Sequence, residues 1–314
     1  MKWIYETSLS FVLTLVLIHL FIAWQKKRKI GQHVRSDGPQ MHNYKEGTPT
    51  MAGLVFVSVF MVVSLVFNKS IENAFLVLST FSFFVIGYID GVMKILKSKS
   101  EGLKSYQKLI LQIATAVFLY LVSQNIFPHT YTVIPFLGKL EMGWFYPIFT
   151  ITFLVGMSNS SNITDGLDGL AGGVYFIGAL GLAVFSLYKG FPLTTTLTSM
   201  SAVLAFLFFN VKPAKIFMGD VGSLALGGYI GALGMLYGYE FWMMLLFSIF
   251  VIELVCDTIQ IISLRYFHRR VFRMAPIHHH YEMKGQSENR VTLSFLAVEL
   301  AIMSGSVGML CVFR

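Results

Sequence analysis

The chain has 314 residues, of which 55% are hydrophobic and only 13% charged, with 29 Phe and 16 Met. That balance excludes an ordinary soluble domain and predicts an all-α integral membrane protein. The formal net charge is +8, and the two cysteines, Cys256 and Cys311, sit in apolar stretches without metal-ligand spacing, so they read as small core hydrophobes and not as a disulfide framework.

Ten apolar stretches follow in chain order, roughly 8–24, 51–68, 73–89, 109–127, 144–157, 170–188, 191–209, 221–239, 241–264 and 291–313. Crossing about 30 Å of hydrocarbon takes about 20 helical residues, or as few as about 17, and only 144–157 is weak by that measure. The first stretch is followed by Lys26, Lys27, Arg28 and Lys29 and not by a small-residue cleavage site, so it is expected to stay as the first transmembrane helix. No repeat or low-complexity linker divides the sequence, which predicts one polytopic domain over 1–314. The odd-numbered connections (25–50, 90–108, 158–169, 210–220 and 265–290) carry 19 of the 24 Lys and Arg. By the positive-inside rule they face the cytoplasm, both termini lie outside, and ten crossings suit the pattern best.

Four of those connections hold carboxylates in turn-like runs: "GYIDGVMK" with Asp90 and Lys94, "NSSNITDGLDGL" with Asn162, Asp165 and Asp168, "FNVKPAKIFMGDVGS" with Asn210, Lys212, Lys215, Asp220 and Ser223, and "HHHYEMKG". Any one acid is explained by a solvated loop end. As a set they would form one polar patch at the cytoplasmic helix ends. Asp165 and Asp168 are three apart, which stacks them on one face if a helix begins there. Asp220 stands between glycines just before an apolar stretch, where it and Ser223 could cap a helix whose free N–H groups hold an anion. Acids beside lysines in such turns suit a hard divalent cation and phosphoryl oxygens. Phosphoryl transfer needs mainly positioning and charge neutralisation. In the ninth stretch Glu253, Asp257 and Gln260 share a face and should turn toward a cavity or another helix, and Glu299 in the tenth reads as a helix–helix contact.

Six motifs carry a resemblance: "GQHVRSDGPQMHNYKEGTPTMAG" (31–53), "GYIDGVMK" (87–94), "GLKSYQKLILQ" (102–112), "NSSNITDGLDGLAGG" (159–173), "FNVKPAKIFMGDVGSLALGG" (209–228) and "RVFRMAPIHHHYEMKG" (270–285). In this order they resemble the bacterial phospho-N-acetylmuramoyl-pentapeptide transferase family, within the polyprenyl-phosphate sugar-1-phosphate transferases. The resemblance implies Mg²⁺-dependent transfer of phospho-N-acetylmuramoyl-pentapeptide from its UDP carrier to undecaprenyl phosphate, giving lipid I and UMP in peptidoglycan synthesis. It also implies a homodimer in the bacterial inner membrane with its site on the cytoplasmic face. A sister enzyme using another UDP-hexosamine is the nearest alternative, and a lipid-linked sugar transporter a distant one.

By the same resemblance Asp220 matches the principal Mg²⁺ ligand. Asn162 and Asp165 match positions near the metal and diphosphate, and Asp168 falls in the same motif. Asp90 matches the first acid of a double-Asp motif, proposed as a base on the lipid phosphate; this chain has Gly91 where the second acid usually stands. Lys45, Thr50, Asn210, Phe217, Ser223 and Gln260 match positions around the nucleoside and phosphates, with Phe217 a face for the uracil, and Lys94 and Lys108 match lysines of the cleft. His278, His279 and His280 cannot converge on one ion, because successive residues point about 100° apart on a helix and to opposite faces on a strand. Imidazole also suits softer metals than Mg²⁺. With Arg269, Arg270, Arg273 and Lys284 around them, they are expected to act as donors to substrate phosphate or sugar, a plain surface turn being the alternative.

Overall fold

The structure, a computed structural model, describes residues 2–31, 45–97 and 102–312. Residues 32–44 of the first motif and the side chain of Cys311 lie outside the described residues. Twelve α-helices and one hairpin occur among them: α1 (Lys2–Arg28), α2 (Gly53–Phe67), α3 (Ile71–Lys97), α4 (Ser105–Ile126), β1 (Tyr131–Ile134), β2 (Gly138–Glu141), α5 (Tyr146–Thr164), α6 (Leu170–Lys189), α7 (Leu193–Asn210), α8 (Gly219–Tyr237), α9 (Glu240–Leu246), α10 (Ser248–Ile262), α11 (Ile277–Glu282) and α12 (Glu288–Val312). Each apolar stretch of the sequence coincides with a helix or helix pair. Six of these, α1, α3, α4, α6, α7 and α12, are long and apolar enough to cross a membrane on their own, and the α9–α10 pair would make a seventh.

Three expectations change. The ninth stretch is not one straight helix: it breaks at Phe247, and its two arms meet at 95°. A break in an apolar environment exposes backbone N–H groups that must find acceptors inside the protein. Glu299 of α12 supplies one, taking the Ser248 hydroxyl and the Ile249 N–H on Oε2, each at 2.8 Å. That is the helix–helix contact expected of it. The connection 158–169 is likewise only half a loop. Its polar residues stay helical to Thr164, with Asn159, Ser160 and Thr164 all bonding back to carbonyls three or four residues earlier. Cys256 is part-exposed on α10 and is not a core residue.

A hairpin that the sequence did not announce joins α4 to α5, its strands antiparallel from Tyr131 opposite Glu141 to Ile134 opposite Gly138. Buried Glu240, at the start of α9, accepts the Thr132 and Tyr146 hydroxyls at 2.7 Å each and ties the hairpin down.

At the centre stands α8, buried from Val221 through Leu236 and packed mainly against α3 and α5. Small residues let membrane helices approach closely, and α8 is rich in glycine. The decisive approach is on α3, where Gly87 lies on the backbone carbonyl of Asp220 so closely that an added Cβ would overlap it. The α3–α8 spacing therefore sets where Asp90 and Asp220 stand relative to each other. Gly87→Ala is expected to cost about 1–3 kcal/mol of overpacking, read as a lower melting midpoint in detergent, and to reduce turnover; a variant unchanged in both would show that the spacing does not matter.

Candidate active site

Residues from four of the five odd-numbered connections converge on one cavity of about 240 Å³. Of the sequence-predicted residues, Lys45, Thr50, Lys94, Asn162, Asp165, Asp168, Asn210, Phe217 and Asp220 line it. A more open cleft of about 640 Å³ shares Lys94 and Asn162 with it and adds Asp90, Lys108 and Asp257.

Between the two lies a four-charge cluster. Lys94 Nζ is 2.8 Å from Asp90 Oδ2 and 3.0 Å from Asp220 Oδ1, while Lys108 Nζ is 2.5 Å from Asp220 Oδ2 and 3.5 Å from Asp90 Oδ2. Asp90 and Lys94 are one helical turn apart on α3, a spacing that brings side chains together. The other oxygen of Asp90 accepts the Leu103 N–H at 2.8 Å, which pins the start of the α4 segment to α3. Asp220 is the second residue of α8. Ser223 does not cap that helix as the sequence suggested; it is buried and turns its hydroxyl back to the Gly219 carbonyl at 3.3 Å.

The Asp165–Asp168 pair also differs from expectation. α5 ends at Thr164 and α6 begins at Leu170, so both acids sit in the intervening turn and do not stack on a helix. They have separate surroundings. Burial pushes the Asp165 carboxyl well above the usual carboxylate range, the charge of Asp220 pushes the same way, and Lys45 and the Gly219 N–H pull against them. Asp168 is a fastener: its Oδ1 meets Lys45 Nζ at 2.7 Å and its Oδ2 accepts the Ala214 N–H at 3.0 Å. Asn210 closes the same seam, accepting the Gly169 N–H and donating to the Ile216 carbonyl at 3.0 Å each. The Lys45 ammonium lies 5.7 Å from the centre of the Phe217 ring, within cation–π range. Gln25 of α1 clamps Thr50 by both its backbone groups, at 2.8 and 2.9 Å.

Five predicted site residues stand outside both cavities. Ser223 is one. Gln260 accepts the Val271 and Phe272 N–H groups at 3.1 and 2.9 Å and donates to the Phe272 carbonyl at 3.2 Å, so it holds the histidine loop by its backbone. The histidines begin α11 and have separate partners: His278 donates Nδ1–H to Glu253 at 3.0 Å, His279 to Glu282 at 2.8 Å, and His280 Nδ1 accepts the Arg273 N–H at 3.0 Å. A neutral His280 must then carry its proton on Nε2, the donor form. Burial, with the charges of Lys284 and Arg273, holds that imidazole below its ordinary pKa, which favours the neutral ring.

Glu288 was missed. It opens α12 with its side chain almost wholly buried and accepts Lys45 Nζ at 2.5 Å, Lys212 Nζ at 2.7 Å and the Asp168 N–H at 2.9 Å. The available signal was an acid at the start of an apolar stretch in a chain with excess cations.

Comparison with known proteins decides the family. Glycosyl transferase family 4 matches residues 73–238, the stretch that supplies Asp90, Asp165 and Asp220. The chain belongs to glycosyl transferase family 4. Among its curated relatives, proteins named phospho-N-acetylmuramoyl-pentapeptide-transferase are 43% identical in Kosmotoga olearia, over 94% of both chains, and 44% identical in Petrotoga mobilis, over 94% of this chain and 95% of that one. A protein of the same name in Bacillus thuringiensis is 40% identical over 93% of this chain and 92% of its own. The matches cover about 94% of the chain and so run past the family-4 segment to both sides.

Removing one partner from a buried charge cluster leaves the others uncompensated, at a cost of about 3–5 kcal/mol. Glu288→Ala is therefore expected to lower the melting midpoint and, by leaving Lys45 without one of its two carboxylates, to raise KM for the soluble donor by about tenfold, with Glu288→Gln milder on both measures.

Proposed function

We propose that this transferase moves phospho-N-acetylmuramoyl-pentapeptide from its UDP carrier to undecaprenyl phosphate, releasing UMP and leaving lipid I in the bacterial inner membrane. The observation that carries the reading is the pair of lysines shared between Asp90 and Asp220 at the junction of two cavities, in a chain more than 40% identical to curated relatives of that name. One cavity is suited to the nucleotide half, with Phe217 as a ring face and Lys45 beside it. The other, with Asp90 and Lys108, is suited to the acceptor phosphate. The odd-numbered connections supply both cavities, and we take them as the cytoplasmic side, with ten crossings, both termini outside and a homodimer as the assembly.

The donor set fits Mg²⁺. Asp220, Asp165 and the amide of Asn162 offer hard oxygen around the first cavity. No group of three or more His, Cys, Asp or Glu stands at metal-holding distance among the described residues, and Mg²⁺ needs none: it binds through one or two carboxylates and fills its shell with water and substrate phosphate. When bound, the ion neutralises charge on the diphosphate. Asp220 and Asn162 would hold it.

The rest is done by the chain. Lys94 and Lys108 exchange carboxylate partners for phosphoryl oxygens and stabilise the charge that builds on departing UMP. The second pKa of a phosphomonoester is about 6, so the acceptor arrives largely as the dianion and is already a nucleophile. Direct attack on the β-phosphorus then needs no enzyme-bound intermediate. Asp90, held by Lys94 and the Leu103 N–H, orients the incoming phosphate and takes any residual proton. Asp165 lines the same cavity as Asp220, with a carboxyl that its surroundings push above the usual range. His279 and His280, outside both cavities and near Arg273 and Lys284, are taken as donors to the sugar–peptide part, His280 through Nε2–H.

In detergent with undecaprenyl phosphate, UMP release is expected with the muramoyl-pentapeptide donor and not with UDP-N-acetylglucosamine; the reverse preference would assign the sister activity. Asp220→Asn is expected to lower kcat by about 10²–10³-fold, and full retention would remove Asp220 from the reaction. Kinetics should be sequential, and rapid exchange of labelled UMP into the donor without acceptor would instead require a covalent enzyme intermediate.

A further inference from the structure

Behind the wall of the first cavity lies a buried dyad. Glu253 of α10 and His278 of α11 are both wholly inaccessible. One Glu253 oxygen receives Nδ1–H of His278 at 3.0 Å and the other receives the Ile277 N–H at 2.9 Å, so the carboxylate spends both oxygens on the first turn of α11. This orients the ring completely. Its far nitrogen, Nε2, is buried with no hydrogen-bond partner. That atom is aimed at Gly166: a Cβ built there would run into Nε2 before any other atom. Gly166 lines the cavity and follows Asp165, so the cavity wall at this point is one glycine thick, with the imidazole directly behind it.

A carboxylate in an apolar helix is costly to retain, which calls for a reason beyond solubility. A simple loop fastener would not need an ionisable group, because Gln260 fastens the same loop one helical stretch further on with an amide. What Glu253 adds is control of the ring. By taking Nδ1–H it fixes which nitrogen faces the turn and sets the plane of the imidazole against it. We propose that Glu253 is a positioning residue: through His278 it holds the Asp165–Gly166 turn against the cavity and so fixes where the Asp165 carboxyl meets the donor diphosphate. His278, expected from sequence to touch substrate, acts from behind the wall. The proposal rests on the transferase reading for the identity of the substrate, but not for the mechanical link between dyad and turn.

Glu253→Gln keeps the shape but turns one acceptor oxygen into an N–H donor, so with the Ile277 N–H still held the ring must take the other tautomer, with its proton on Nε2 against Gly166, or lose its partner. Expected is a fall in kcat of about tenfold or more with donor KM within about threefold, the pattern of a displaced group and not of lost binding. A double-mutant cycle separates positioning from mere folding. Gly166→Ala should impair turnover when His278 is present, and should add little to His278→Ala, because the missing ring makes room for the methyl. Wild-type kcat in Glu253→Gln, or equal damage from Gly166→Ala in both backgrounds, overturns the proposal. A third measurement is independent of the reaction: hydrogen–deuterium exchange of the 160–170 segment in the full chain should quicken by about threefold or more in Glu253→Gln, and unchanged exchange counts against the link even if the substrate proves to be another. Absence of UMP release from the wild-type chain would overturn the transferase reading and leave this exchange test to decide the proposal.

Discussion

Two lysines are each shared by two carboxylates, and the architecture is arranged around keeping that sharing possible. Asp90 and Lys94 come from α3, Lys108 from α4 and Asp220 from α8, so three helices must hold their spacing to within a fraction of an ångström. None of the four charges is well solvated. Buried charges of one sign alone would be prohibitive, and a cluster of two and two is tolerable only while every member is in reach. The Gly87 contact brings α3 onto α8, and the Leu103 N–H anchors the approach to α4 on Asp90. An incoming diphosphate can draw the lysines away without leaving them uncompensated. The cluster is therefore stable when closed and ready to open toward anions.

The same economy runs through the polar residues of the helices, which act as fasteners between segments. Glu299 satisfies the N–H groups freed by the bend at Phe247. Further along α10, Glu253 and Gln260 hold the two ends of the histidine loop. Gln25 of α1 grips Thr50, and Gln112 of α4 accepts Asn159 of α5 at 3.0 Å. In an apolar surrounding each such bond replaces a hydration that is not available, so each carries specificity out of proportion to its number.

Much of this was legible in the sequence, and the limits have physical causes. Apolar runs mark helices because hydrocarbon demands about 20 residues of unbroken apolar backbone, and the positions of all ten runs were found. The bend at Phe247 was not, since nothing in "LLFSIF" breaks a helix; the acceptor that stabilises the break lies on α12, fifty residues away. The cavity residues Lys45, Asn162, Asp165, Phe217 and Asp220 were visible because charge and glycine-permissive turns recur together at helix ends. Glu288 was invisible for the opposite reason: its partners Lys45 and Lys212 come from distant connections, and an acid at a helix start has an ordinary local explanation. The histidines were read by their flanking cations, whereas their actual partners are carboxylates from α10 and α11 and a backbone N–H.

The absence of a second acid after Asp90 becomes intelligible in this frame. On a helix, position 91 points about 100° away from position 90. Asp90 faces Lys94 and Lys108, and Gly91 faces Met51: a Cβ at 91 would start 2.9 Å from the Met51 methyl carbon. Met51 itself is buried, with a positive φ of 62° at the point where Thr50 passes into α2. That conformation is unfavourable for an unbranched side chain, and it is retained where the surrounding hydrogen bonds of Ala52 and Gly53 to Phe217 and Met218 over-determine the backbone. A carboxylate at 91 would have to push aside the end of the Met51 side chain, and would enter the first cavity, which Gly91 lines with Lys94 and Asp220. The single Asp90 suffices for charge balance with two lysines and Asp220, and the space beside it is given to packing that holds the 45–51 segment, and with it Lys45, on the cavity.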